Sequence, residues 1–198
     1  MLVNQILIRT NNQFDDSGNA AYSEAEKISW IDSAQKDIAT KLPVDNLQLL
    51  IAENLQDTVQ STTGSYLYPL PIDFLKPIEV DYKNIPCVVK KVSQRQTINR
   101  NMDYYAIESE PLAIIREGKV EVFPSSGEVL INGLKIIYIK MPVTLTNLND
   151  ILILGNDYGD AIYNYAIGQG YARDGQPEAD KYLSLYIGEL TKAIGGIK

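Results

Sequence analysis

The sequence predicts an α+β protein: a helical bundle formed by the N- and C-terminal helices, with an inserted antiparallel β-module. Three observations predict it. Helix-capping signals and apolar residues spaced three or four apart dominate the two ends. Residues 57–145 instead hold most of the prolines and several runs rich in Val, Ile and Tyr. Charge changes in step: residues 1–60 carry four basic and nine acidic side chains, 61–145 ten and nine, and 146–198 four and seven. The expected division is residues 1–56 with 146–198 as the helical domain and 57–145 as the insertion.

Residues 3–14 read as a short helix. Ser23-Glu24-Ala25-Glu26 has capping-box spacing, a hydroxyl for one free amide and a Glu three residues on. Ile28, Ile31, Ala34, Ile38 and Leu42 then form one apolar face, which Pro43 ends because it cannot continue the hydrogen-bond ladder. Residues 45–53 fit helix or strand. Six strands follow: Tyr66 to Tyr68, Ile78 to Tyr82, Val88 to Val92, Ala113 to Ile115, Val120 to Phe123 and Leu134 to Ile139. Turn chemistry separates several of them, at Lys83-Asn84, Arg116-Glu117-Gly118 and Pro124-Ser125-Ser126-Gly127. A further helix opens near Asp157 with Ala161, Ile162, Tyr165, Ala166 and Ala172 as its buried side, and Gly175-Gln176-Pro177 breaks it. The last helix starts at Pro177. It carries Ala179, Tyr182, Leu183, Tyr186, Leu190 and Ala193 on one face and ends at Gly195-Gly196.

Composition narrows the function. The 198 residues include no histidine and one cysteine, Cys87. That removes Ser-His-Asp and Cys-His catalysis, His-ligated metals, disulfides within the chain and CxxC redox pairs. What chemistry remains is carboxylate, lysine or tyrosine chemistry, and no enzyme activity is expected. No apolar run approaches the roughly 18 residues that mark a membrane span, and the N-terminus lacks the basic flank of a signal peptide. A net charge of −7 disfavours general nucleic-acid binding, which rests on neutralising phosphates.

The local motifs read as structure. Oxygen-bearing side chains from Asp15 to Glu26 fall near calcium-loop spacing, but Ala20 stands where the turn needs glycine and Glu26 already serves the helix cap. The segment is read as a polar turn. Gly168-Gln169-Gly170 lies in a helical run, not after a strand, and Gly118-Lys119 precedes Val120, so neither binds phosphate. Glu108 and Glu110 alternate as exposed strand positions do, and Cys87 reads as a small buried hydrophobe. No cofactor and no metal site is expected.

Two features point to partners. Between Asp81 and Asp103 every charge is positive: Lys83, Lys90, Lys91, Arg95 and Arg100. They suit a solvated edge or a contact with an acidic partner or phosphate; Lys90, Lys91, Arg95 and Arg100 are the candidates for that contact. Thirteen tyrosines against three phenylalanines favour surfaces half-buried against another protein. Tyr158, Tyr163 and Tyr171 lie off the proposed core face of their helix and are the candidate inter-subunit residues.

The order of features resembles the head–tail adaptor (connector) proteins of short-tailed bacteriophages. Tyr22-Ser23-Glu24 leads into Ile28-Ser29-Trp30-Ile31-Asp32-Ser33-Ala34-Gln35, where those proteins have a W-x-N-x-A-Q helix. Tyr66 to Phe74, YLYPLPIDF, matches their Y-x-L-P-x-D-F segment. Val122-Phe123-Pro124 stands at their P-x-P strand end, and Ala161 to Ala166 in their Y-A-L helix. The likeness spans almost the whole chain. It departs at Asp32, where the family has Asn, at the extra proline of Tyr68-Pro69-Leu70-Pro71, and at Ser125-Ser126 after Pro124.

The resemblance implies a structural virion protein at the head–tail junction, made in the host cytoplasm. Such adaptors form a homo-oligomeric ring, usually a dodecamer of twelve copies, below the portal protein. They extend the channel through which double-stranded DNA passes during ejection, and they dock the tail tube, nozzle or other tail ring proteins. The C-terminal segment inserts into the portal, which makes Ile187, Leu190, Ile194, Ile197 and Lys198 the portal-contact candidates. The alternatives are a neighbouring tail ring or gatekeeper protein, and a tail-associated or surface module that binds a ligand or carbohydrate. A carboxylate hydrolase would need two acids in one cleft.

Overall fold

The computed structural model describes residues 1–60, 65–90, 92–94 and 106–195. The chain divides into two compact units, Met1–Leu50 with Met141–Lys198, and Ile51–Lys140. The first is helical and the second is β, so the protein is α+β.

In the helical unit, α1 spans Val3–Phe14 and buries Val3, Ile6, Leu7 and Thr10, one stripe at helical spacing. Its entry is fixed by an antiparallel bridge between Leu2 and Ile151 and by the Val3 and Asn4 N–H groups donating to the carbonyls of Asp150 and Leu148. Helix α2, Glu24–Lys41, is capped as the sequence dictates: the Ser23 hydroxyl accepts the Glu26 N–H and the Glu26 carboxylate accepts the Ser23 N–H. Ile28, Ile31, Ala34, Ile38 and Leu42 are all buried. Two short 3₁₀ turns, Val44–Asn46 and Gln48–Leu50, follow Pro43.

Helices α3, Gly155–Arg173, and α4, Glu178–Gly195, pack on each other, and α3 also packs against α1 and α2. Ala161, Ile162 and Ala166 are buried in α3, but Tyr165 is half-buried and Ala172 is exposed. The buried side runs instead through Ile167, Gly168 and Gly170. Those two glycines explain the Gly-Gln-Gly motif as close packing. A β-carbon at Gly170 would stand 2.3 Å from Phe14 Cζ of α1, and one at Gly168 2.8 Å from Leu183 Cγ of α4.

In the β unit, strands β1 (Ile51–Gln56), β8 (Leu134–Lys140), β3 (Phe74–Tyr82) and β4 (Ile85–Pro86) form one sheet in that order. Strands β2 (Tyr66–Pro69), β7 (Lys119–Phe123), β6 (Leu112–Arg116) and β5 (Val88–Lys90) form the other. The strand pairings are antiparallel except β5 with β6, which run parallel. The turns at Lys83-Asn84 and Glu117-Gly118 have positive φ at both residues, the two-residue hairpin geometry that fits strand twist. Prolines 69 and 86 lie in the outer strands β2 and β4, where a missing N–H costs no ladder bond.

The sheets share one core. Val80, Tyr82, Leu134, Ile136 and Tyr138 of the first pack with Tyr68, Ala113, Val120 and Val122 of the second. Period-two alternation places them on one face of each strand. Strand β4 is not among the six expected, and residues 45–53, which fit helix or strand, hold 3₁₀ turns and then the start of β1, whose moderate apolar content blurs its period.

Candidate interaction surfaces

The outer face of α4 is set by what its inner face grips. The Tyr186 ring packs edge-on against Tyr165 with centroids 5.1 Å apart, and its hydroxyl donates to the Asp37 carboxylate of α2. Burial, reinforced by that carboxylate, raises the Tyr186 phenol far above its ordinary range. Leu190, one turn on, is only 4% exposed and anchors the helix in its own unit. Ile187 and Ile194, seven residues apart on one flank, are 58% and 46% exposed. Of the portal-contact candidates, these two therefore lie on the surface and Leu190 does not. Ile197 and Lys198 lie outside the described residues.

The three candidate inter-subunit tyrosines are half-buried within the helical unit. Tyr163 lies under the Arg9 guanidinium, 4.3 Å from its ring centroid, and donates to Gln13 Oε1. Tyr171 packs edge-on to Phe14 and stacks on Tyr182, with centroids 5.3 and 5.6 Å away. Tyr158 sits where the backbone of α3 leaves helical geometry (φ −124°, ψ 20°), and its hydroxyl accepts from Asn46 Nδ2. It lines two surface clefts of about 460 and 450 Å³, one with Asp160 and Glu189 and the other with Asp45 and Leu49.

Phe14 links this aromatic group to Tyr22, whose hydroxyl donates to the Asp174 carboxylate. Burial, and then that carboxylate, pushes the Tyr22 phenol up to about 12. The excess of tyrosine over phenylalanine thus has an internal use, since the rings fill the helix junction while the hydroxyls meet carboxylates.

In the β unit, Lys83 in the β3–β4 turn pairs with Glu108 at 3.3 Å, and Lys90 closes β5, half-buried. Lys91, Arg95 and Arg100 lie outside the described residues. Residues 107–110 form a tight turn, with the Glu110 N–H donating to the Ile107 carbonyl, so Glu108 and Glu110 do not alternate along a strand as expected. Cys87 is half-buried against the inter-sheet core, and burial pushes its thiol up to about 12. Sequence reading passed over Ile72, fully exposed before β3, and Val129 and Ile131, exposed between β7 and β8. The signal for the last two was an apolar run, Val129-Leu130-Ile131, between Gly127 and Gly133.

Two polar residues were also missed. Lys27 is fully buried and meets Asp16 Oδ2 at 2.8 Å. That ammonium, against the opposing effect of burial and with help from backbone N–H groups, holds the Asp16 carboxyl well below the usual carboxylate range. Lys27 stands four residues before Ile31 on the buried stripe of α2, which is the sequence sign it carried. Glu121, almost wholly buried in β7, pairs with Arg116 Nε at 3.1 Å and accepts from Ser65 Oγ at 2.9 Å. Among the described residues no group of acidic or cysteine side chains could hold a metal ion, and no helix is long and apolar enough to cross a membrane.

A family model described as SU10 adaptor protein matches residues 1–197. The chain belongs to the SU10 adaptor family. No curated protein matches the sequence. SU10 adaptors are phage head–tail adaptors, a structural class and not an enzyme class, and the sequence resemblance to such adaptors is borne out. Membership assigns this SU10 adaptor to the virion head–tail junction, in association with portal and tail components.

Proposed function

We propose that this SU10 adaptor assembles as a twelve-copy ring below the portal, extends the channel for double-stranded DNA and docks the tail. The family match along 1–197 carries the reading. The exposed flank of α4, Ile187 with Ile194, supports it as the surface that meets the portal, continued by Ile197 and Lys198 in the sequence. The acidic helical segments suit a wall past which DNA slides, because like charge keeps binding weak. Tyr158, beside two open clefts, is the strongest of the three candidate tyrosines for contact with a neighbouring copy, and a head-to-tail contact closes into a ring when its rotation allows. The β unit offers Ile72, Val129 and Ile131 to a tail component.

The test is mass and shape in solution, with and without the matching portal protein. A ring alone or on the portal is the expected result and gives the copy number. A monomer that ignores the portal overturns the reading and leads to a screen of the β unit against glycans and tail proteins.

A further inference from the structure

The turn between α1 and α2 gathers oxygens around one buried point. Asn11 Oδ1 at 2.7 Å, Asp16 Oδ2 at 2.8 Å and Asn19 Oδ1 at 3.0 Å surround Lys27 Nζ, with the Asp16 carbonyl oxygen at 3.3 Å. Three short contacts match the three hydrogens of an ammonium. Asp16 is itself held in place: its Oδ1 accepts the Ala20 and Ala21 N–H groups and its Oδ2 the Tyr22 N–H. The Asp16 oxygens are therefore arranged by the backbone of the turn, Asn11 reaches in from the end of α1, and Asn19 takes the left-handed conformation (φ 54°).

We propose that this turn is a cation-binding site whose resident cation is the Lys27 ammonium, and that without that side chain it takes a small primary ammonium ion from solution. The charge of the cage selects the class of ion. One carboxylate with three neutral oxygens balances a single positive charge, whereas calcium requires six to eight oxygens and more anionic ligands. Asp16 has no bidentate face to offer such an ion, because both its oxygens already accept backbone donors. The oxygen-rich spacing from Asp15 to Glu26 is thus a cation site closed by its own chain, with the Glu26 carboxylate turned away to Ser23 and Arg173.

Lys27→Ala removes the equivalent of n-propylammonium. The variant is expected to melt at a lower temperature than the parent, and n-propylammonium chloride at tens of millimolar to restore more than half of the loss. Sodium chloride and tetramethylammonium chloride at equal ionic strength restore none, and Lys27→Met, whose side chain occupies the same channel, gains nothing from the amine. Equal recovery in all three salts, or none in any, overturns the proposal. Should Lys27→Ala fail to fold in every salt, amine acylation of the unaltered protein decides. Lys27 is expected to stay unlabelled until global unfolding, and labelling at the rate of exposed Lys119 overturns the site.

Discussion

Asp32, in the middle of α2, accepts the backbone N–H of Leu145 at 3.0 Å, across 113 residues of sequence. Its other oxygen holds Lys36 at 2.6 Å, and Lys36 reaches on to the Thr144 hydroxyl. Gln35, from the same face, donates to the Val143 carbonyl. One turn of α2 thereby ties down the segment that returns to the helical unit. Asp32→Ala leaves a buried N–H without its acceptor and is expected to cost about 1–3 kcal/mol in urea unfolding. Asp32→Asn retains an acceptor and is expected to cost less than half as much.

The glycines of the helix pair separate packing from propensity. Gly170→Ala puts a methyl into the Phe14 ring, which is already boxed by Tyr22 and Tyr171. It is expected to destabilise by about 1–3 kcal/mol, the usual range for overpacking. Gly188 in α4 has nothing within 4 Å of an added β-carbon. Gly188→Ala is expected to stabilise by about 0.5–1 kcal/mol through helix propensity alone. Paired thermal melts check both signs at once.

Alkaline stability follows from the tyrosines. Burial comes first in raising the phenols of Tyr22, Tyr68 and Tyr138 to about 12, and in Tyr22 and Tyr138 the carboxylates of Asp174 and Asp73 add to it. A phenol that holds its proton more tightly when folded stabilises the fold fully below its unfolded value, and that contribution is lost as the pH rises through the folded one. The tyrosine contribution is therefore expected to be flat up to about pH 10 and to fall toward about 12. Phenolate absorbance should show these tyrosines ionising late and together with loss of far-ultraviolet helix signal. Tyr22→Phe is expected to reduce the slope.

On α4, the fold and the proposed portal contact are expected to respond to different residues. Leu190→Ala opens a cavity in the helical unit and is expected to cost about 2–5 kcal/mol. Ile187→Asp and Ile194→Asp alter exposed positions, so each is expected to keep the melting temperature within a degree or two while abolishing co-sedimentation with the portal. Unchanged portal binding in both would place the contact elsewhere.

Acid sensitivity is expected at the α1–α2 turn. Asp16 binds its proton far less readily when folded, with Lys27 as the main cause, so its contribution is complete above the ordinary carboxylate pKa and fades as the pH falls below it. Asp16→Asn is expected to be less stable at neutral pH and to show a shallower acid transition, measured by circular dichroism.

Much of this was legible because local chemistry and burial agree. The Ser23–Glu26 box, the stripe from Ile28 to Leu42 and the break at Pro43 each depend on neighbours within a few residues. The paired turns at Lys83-Asn84 and Glu117-Gly118 are read the same way. What stayed hidden depends on distant partners. Lys27 and Glu121 look like surface charges until Asp16 and Arg116 are placed beside them. The exposed Ala172 shows the limit of periodicity in α3, whose non-helical Tyr158 and small residues let neighbouring helices set the buried side. On α4 the sequence puts Leu190 both on the packed face and among the portal-contact candidates; only the first holds, because Tyr186 and Asp37 fix the rotation of the helix and leave Ile187 outside.

The pairing of Ile51 with Ile139 has a consequence for how such a protein can change in length. The excursion of 51–140 leaves and returns on neighbouring antiparallel strands, about 5 Å apart. Its two doorways are thus one, and to the rest of the chain the whole unit is no wider than a hairpin. Closing a loop costs only slowly more as the loop lengthens. The unit can therefore lengthen or shorten at small entropic cost, while the helices keep their own caps, cages and glycine contacts.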